Sequence, residues 1–191
     1  MIDSNKSNQE KEQISLKQIE GIFWDEVYTQ DKNGKDILIT RTEKKKNKIL
    51  IGMAKVIAGL LANEATFLGG ILYSAQGAGD VGWDAGGPPA PVWTQIKLVD
   101  ELFRKVPDSI AYVDVDGNPV GYISNYLLVK TILEYAETAL NDKYIREQGL
   151  FGGDATITKD SGYLLDTLRH LKIWKDASIK IIRYIQLGFV E

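Results

Sequence analysis

Residues 146–162 read REQGLFGGDATITKDSG. Gly149, Gly152, Gly153 and Gly162 crowd together among charged side chains and two apolar ones, Leu150 and Phe151. A stretch of this composition is a phosphate cradle, a metal loop, or a turn that shapes a sheet. GLFGGDAT lacks the Gly-Lys-Ser/Thr ending that sets an ammonium and a hydroxyl on phosphate and magnesium. Its glycine spacing does not fit a dinucleotide fingerprint, and no strand–helix–strand unit surrounds it. The simpler reading is that these glycines supply positive φ in turns between strands.

The flanking segments read as strands. In SIKIIRYIQLGF (178–189), Ile179, Ile181, Arg183, Ile185, Leu187 and Phe189 alternate with the other side chains. In NYLLVKTILEYA (125–136), Leu127, Val129, Thr131, Leu133 and Tyr135 do the same. Period two is the signature of a strand with distinct faces. GIFWDEVYT and DILITRT frame DKNGKD, so 21–42 predicts a hairpin, with Asn33-Gly34 at its turn. IAYVDVDGNPVGYIS (110–124) predicts a second hairpin turning at DGNP. FLGGILYSAQ (67–76) reads as a strand, and IKLVDELFRKV (96–106) stays ambiguous between helix and strand. One helix interrupts the pattern at 47–62. Leu50, Ala54, Ile57 and Leu61 recur at three- and four-residue spacing, and Asn47 is its candidate cap. The expected fold is therefore mainly β: an antiparallel β-sandwich with an N-terminal β-hairpin and one amphipathic α-helix. Three regions are expected: a polar N-terminal arm (1–18), the hairpin plus helix (19–64) and the sandwich (65–191). The arm is either a frayed tail or a segment that orders on a neighbouring subunit.

Composition excludes several classes. The chain has 191 residues, 44% hydrophobic and 26% charged, with a net charge of −3 and no cysteine. It can bury a sizeable core, and it lacks the basic balance of a nucleic-acid-binding domain. The EKKKNK run (43–48) reads as a solvated turn, with a contact to nucleic acid or to an acidic partner as the alternative. The N-terminus has no apolar signal region, and the longest apolar stretch, 49–62, is too short to span a bilayer.

No chemical constellation emerges. DVDGN (114–118) puts Gly117 at position 4 and Asn125 at position 12, where a calcium loop needs Gly at 6 and Glu at 12. His170 is the only histidine and has no partner at metal or triad spacing. Asp80, Asp84 and Asp154 are carboxylates that only a fold could bring together. The expectation is a non-enzyme with no cofactor and no metal. The Gly- and Pro-rich segment 77–93 reads as a long loop flanked by Trp83 and Trp93. These two are either binding anchors or caps on the sandwich core.

A family resemblance enters through word order. GILYSAQGAGDVGWD (70–84) is followed by KLVDELFRKV (97–106), YIREQGLFGGDAT (144–156), DSG (160–162) and LRHLKIWKDASIKIIRYIQLGF (168–189). This order resembles phage and prophage virion proteins. More distantly it is similar to the N-terminal attachment domain of phage tail-fibre proteins. There an L-x-x-E-x-x-R segment, here Leu98, Glu101 and Arg104, precedes a second motif, here Arg146, Glu147, Gly149, Leu150 and Phe151. The resemblance spans roughly residues 67–191. Trp174, in WKDAS, departs from the spacing usual in that family. With no shaft after Glu191, the expectation is a neck or collar, baseplate or fibre-docking component of a virion, assembled in the host cytoplasm.

The resemblance implies other virion structural proteins and further copies of the chain as partners; the charge balance and the short apolar runs lead to the expectation of no direct nucleic-acid contact and no membrane span. The interface candidates are Trp83, Trp93, Glu101, Arg104, Arg146, Glu147, Gly149, Phe151, Gly152 and Gly153. Glu101 or Glu147 is expected to pair with Arg104 or Arg146 and to pin the glycine-rich turn to the sheet. Arg146 and Glu147, being adjacent in a strand, are expected to face opposite sides. Rival readings are a subunit of a phage-derived contractile injection machine, a carbohydrate-binding sandwich stacking sugars on Trp83 and Trp93, and a hydrolase with a carboxylate pair on the glycine-rich loops.

Overall fold

The computed structural model describes residues 18–190, so the expected arm, apart from Gln18, lies outside the described residues. In chain order the elements are β1 (Gln18–Gln30), β2 (Asp36–Arg41), β3 (Lys45–Lys46), β4 (Lys48–Ile49), α1 (Ile51–Leu61), β5 (Gly69–Gly77), the short α2 (Trp83–Gly86), β6 (Glu101–Lys105), β7 (Ser109–Val113), β8 (Tyr126–Leu133), β9 (Lys143–Gly153), β10 (Tyr163–Lys175) and β11 (Lys180–Val190). They form two antiparallel sheets. The first runs β2-β1-β11-β8-β7, with β3 alongside β1, and the second runs β4-β10-β9-β5-β6. The chain is a mainly β, two-sheet sandwich.

The expected first hairpin is β1–β2, but its turn is longer than Asn-Gly implies. Gln30 pairs with Asp36, and of the turn residues only Gly34 takes positive φ, at 77°. Asp31 organises the loop instead, its carboxylate accepting the Asn33 and Lys35 N–H groups at 2.8 and 2.9 Å. The hairpin is not an appendage. β1 pairs with β11 from Gln18↔Val190 to Tyr28↔Lys180, and residues 19–64 supply strands to both sheets.

The helix starts later than its periodicity predicts. Asn47 does not cap it. That residue lies between β3 and β4, where the chain crosses from the first sheet to the second. Its N–H bonds to the Gly21 carbonyl at 3.1 Å, and its side-chain amide meets the Asp166 carboxyl. Leu50 is the N-cap residue and makes no side-chain cap bond; the Ile51 N–H is satisfied by the Trp93 carbonyl at 3.1 Å. α1 lies so close to β10 that a Cβ at Gly52 would stand 2.1 Å from the Leu164 carbonyl oxygen.

The stretch 146–162 also differs from the expectation. REQGLFGG is not a turn but the body of β9, a central strand of the second sheet. At Gly152, glycine is required by close approach, since a Cβ there would meet the Gly70 carbonyl oxygen at 1.6 Å. The turn is DATITKDS, between β9 and β10, bounded by Gly153 and Gly162 at φ 72° and 80°. The ambiguous segment 96–106 contains β6, a strand paired with β5. The second hairpin keeps its Asp114–Asn118 turn, with Gly117 at φ 92°, but its returning arm shrinks to one bridge, Val113↔Pro119. Pro119 has no N–H to continue a ladder, and β7 pairs with β8 instead.

The inward phases of β8 and β11 match the alternation read from the sequence. Val129, Leu133, Ile181, Ile185 and Leu187 are buried. Phe23, Val129, Ile185 and Leu187 from the first sheet meet Leu150, Leu165 and Leu168 from the second, and Met53 and Val56 of α1 join them. A second cluster gathers Leu50, Ala75, Leu98, Phe151, Ala155 and Leu164. The second sheet is thus apolar on both faces.

Candidate functional site

Three charge clamps hold the long loops onto the second sheet. Glu101 and Arg104 lie at i and i+3 on β6, and the pair is bidentate, at 2.6 and 2.7 Å, with both side chains buried. The other side of the guanidinium donates to the Thr156 and Ser161 carbonyls and to Ser161 Oγ, at 2.9–3.1 Å. Arg104 also lies over the Phe151 ring, 4.4 Å from its centroid. This clamp pins the turn that follows the glycine-rich strand. Its fork geometry suits Arg, since two parallel N–H donors match one carboxylate.

Arg146 takes a different partner from those expected. It forks onto Asp84 at 2.9 and 2.8 Å and donates to the Ala78 carbonyl at 3.1 Å. That hydrogen-bonded fork, with Lys172 adding a contact at 3.1 Å, holds the Asp84 carboxyl well below the usual carboxylate range. Glu147 pairs with no arginine. Its two oxygens accept the Val99 and Asp100 N–H groups at 3.0 and 2.8 Å. Arg146 and Glu147 therefore both reach segment 78–100, at different points along it.

Gly149, Gly152 and Gly153 are packing and turn positions within this region and present no side chain. Trp83 is buried at 8% exposure, and Arg169 lies 5.0 Å from its ring centroid. It is therefore a cap under the loop and offers no free ring face to a sugar. Arg169 also fixes the loop through the Pro89 carbonyl and Gln95 Oε1, at 3.1 and 2.9 Å. Trp93 stays 47% exposed. Trp83 and Trp93 do not form one stacking platform.

A further polar cluster lies between the sheets. Arg183 forks onto Asp25 at 3.0 Å and donates to Gln76. Its remaining N–H faces His170 Nε2 at 2.8 Å, while His170 Nδ1 lies 2.7 Å from the Leu171 carbonyl. The arginine needs an acceptor, so His170 is neutral with its proton on Nδ1. Burial first, and then Arg183, push the imidazole down to about 3. The sequence carries one signal for this cluster, which the alternation by itself does not interpret: Arg183 occupies the inward phase of an otherwise apolar series.

The Glu101–Arg104 and Asp25–Arg183 pairs are buried on both sides, so they build geometry. Asp80, Asp84 and Asp154 do not gather, and among the described residues no group of three or more His, Cys, Asp or Glu could hold a metal ion. No described helix is long and apolar enough to cross a membrane.

The edges of the first sheet are different. On β2, Ile37, Leu38 and Ile39 are 47%, 45% and 54% exposed. At the β7 edge and the turn beyond it, Ile110, Tyr112, Val115, Tyr122 and Ile123 are exposed as well.

No protein-family model matches the chain. The curated proteins contain no match to it, and neither do the solved structures.

Proposed function

We propose that the protein is a non-enzymatic structural component of a phage particle, in the neck, collar, baseplate or fibre-docking level, working through protein–protein interfaces in a symmetric oligomer. The observation that carries this reading is the pair of edges on the first sheet that no described strand covers, each with a cluster of exposed large apolar side chains. An open apolar edge is a template for pairing with another chain, and monomeric proteins ordinarily blunt it. A sheet with such an edge at each end can join copies head to tail into a ring. The clamped loops of the second sheet supply rigid shape to the assembly, and the motif order from Gly70 to Phe189 suggests the virion.

The test is immunogold electron microscopy on purified particles from the source, with antibody raised against this chain. Label confined to one level of the particle supports the reading. Particles without label overturn it and leave a role outside the virion. A phage-derived contractile injection machine would give the same label on a different particle, so morphology separates the two.

A further inference from the structure

The EKKKNK run, Trp93 and the start of β1 are far apart in the chain, and none of them has a task in the edges or the clamps. The fold brings them around one open cleft of about 370 Å3, lined by Glu20 of β1, Lys46 and Lys48 of the β3–β4 crossing, Met53 of α1, and Trp93. That volume falls at the small end of the range for ligand clefts, roughly 300–1,000 Å3. The crossing is held at both ends. Lys46 pairs with Ile22 of β1, and Lys48 pairs with Thr167 of β10. Between them the Asn47 side chain turns inward to Asp166, which leaves the two lysines on the cleft.

The chemistry of the lining is mixed. Lys48 is exposed and forms no salt bridge with a described carboxylate. Lys46 meets Glu20 at 3.2 Å, and both side chains stay open to water, at 78% and 37% exposure. Two lysines against one glutamate leave the lining with a net charge of +1. Trp93 is 47% exposed, and its backbone is fixed, because its carbonyl accepts the Ile51 N–H at 3.1 Å. A ligand matched to this lining carries one negative charge and an apolar face for the indole. It also needs both donors and acceptors, since an ammonium only donates and a carboxylate only accepts.

We propose that the cleft binds a short acidic saccharide, with a sugar face against Trp93, the carboxylate at Lys48, and hydroxyls shared between Lys46 and Glu20. A sugar ring has a C–H face that lies flat on an aromatic surface, and its hydroxyls both donate and accept. A uronic or sialic acid adds the single charge that the lining balances. A mononucleotide also has a flat ring, but its phosphate carries about two negative charges against a site of +1. The strand-held crossing and the fixed Trp93 backbone are in place before binding, which lowers the cost of ordering. The cleft shares no residue with the exposed edges, so this site stands apart from any place in a particle.

The test presents the whole protein with a panel of oligosaccharides ending in uronic or sialic acid, each beside its neutral counterpart. The best binder is then titrated while the Trp93 indole N–H is followed by NMR. The expected result is that acidic members bind at least about tenfold more tightly than their neutral counterparts. The Trp93 signal should move on titration, and high salt should weaken the binding. Lys48→Gln and Trp93→Ala, both at exposed positions, should each weaken it by about tenfold or more, while Lys48→Arg retains it. The proposal falls if no acidic member binds up to about 10 mM, or if neutral members bind as well. Binding that survives Lys48→Gln or Trp93→Ala would put the ligand elsewhere and overturn it too. So would tighter binding of adenosine monophosphate or of a short aspartate peptide, which would make the cleft a nucleotide or acidic-peptide site.

Discussion

Along β9 and β6, Arg146, Glu147, Arg104 and Glu101 are buried, and each is covered by a loop whose backbone or side chains satisfy it. Along β2, Ile37, Leu38 and Ile39 are about half exposed and nothing in the described residues covers them. The polar residues are thus inside and the apolar ones outside, the reverse of the usual sorting. The inversion separates two roles. Buried charges fix loop shape, because a fork of N–H donors fits one carboxylate in one orientation. Exposed apolar edges leave surface to be covered by something else. The two sides of this contrast can be perturbed separately.

The largest expected effect is at the most enclosed clamp. Glu101→Ala leaves the Arg104 guanidinium buried without its counter-charge, a loss of about 3–5 kcal/mol. Urea unfolding of the purified protein measures it. The joint replacement Glu101→Leu with Arg104→Met removes both charges and should recover most of that stability. The 154–161 turn should nevertheless be cleaved faster by protease in the double variant, because Thr156 and Ser161 have lost their donor. If the single and double variants are equally unstable, packing around β6 matters and the ion pair does not.

The next effect depends on pH. His170 is held neutral in the fold at about 3, against 6.5 when unfolded. A lowered folded value contributes stability that is complete above pH 6.5 and drains away as pH falls toward 3. At pH 5 the loss relative to pH 7.5 is about 1–2 kcal/mol. Asp166, whose carboxyl burial raises to about 7, runs the other way over the same range and masks the slope in the wild type. The informative quantity is therefore the difference between wild type and His170→Gln, whose amide oxygen can still accept from Arg183. That difference should narrow in favour of the variant as pH drops from 7 to 5. A constant difference would mean that His170 does not bind its proton on unfolding.

These two sites also show how much of the molecule is legible in the chain alone. The alternation of β8 and β11 is a local property, so their inward faces can be read directly from the order of their residues. The Glu101–Arg104 spacing places both residues within one short segment, and their pairing is among those expected. Arg146–Asp84 is not, because 62 positions separate the partners. The glycine-rich stretch reads as a turn, and wrongly, for a related reason. Gly152 is required by the carbonyl of Gly70 on the neighbouring strand, and a contact across strands leaves no mark in local composition. Asn47 has the right residue type for a cap, but the crossing to Asp166 claims it. Arg183 is the one buried charge that local pattern does reveal, since a charge in an apolar phase demands a buried partner.

The smallest expected effect on stability belongs to the open edges, and there it is the smallness that matters. Ile39→Lys on β2 and Ile123→Lys beyond β7 place a charge where the side chain already meets water, 54% and 84% exposed. Each should change unfolding free energy by no more than about 0.5 kcal/mol. Each should also abolish association, read by sedimentation velocity across a concentration series, because lysine on an edge opposes strand pairing. A ring joined head to tail needs both edges, so either variant alone should stop growth. Mixed together, the two should form only a dimer, through the one pairing of intact edges that remains. A self-complementary contact through β2 alone would behave differently: the Ile123→Lys variant would still associate fully by itself. A wild-type chain that stays monomeric throughout the series would instead mean that a different protein covers these edges.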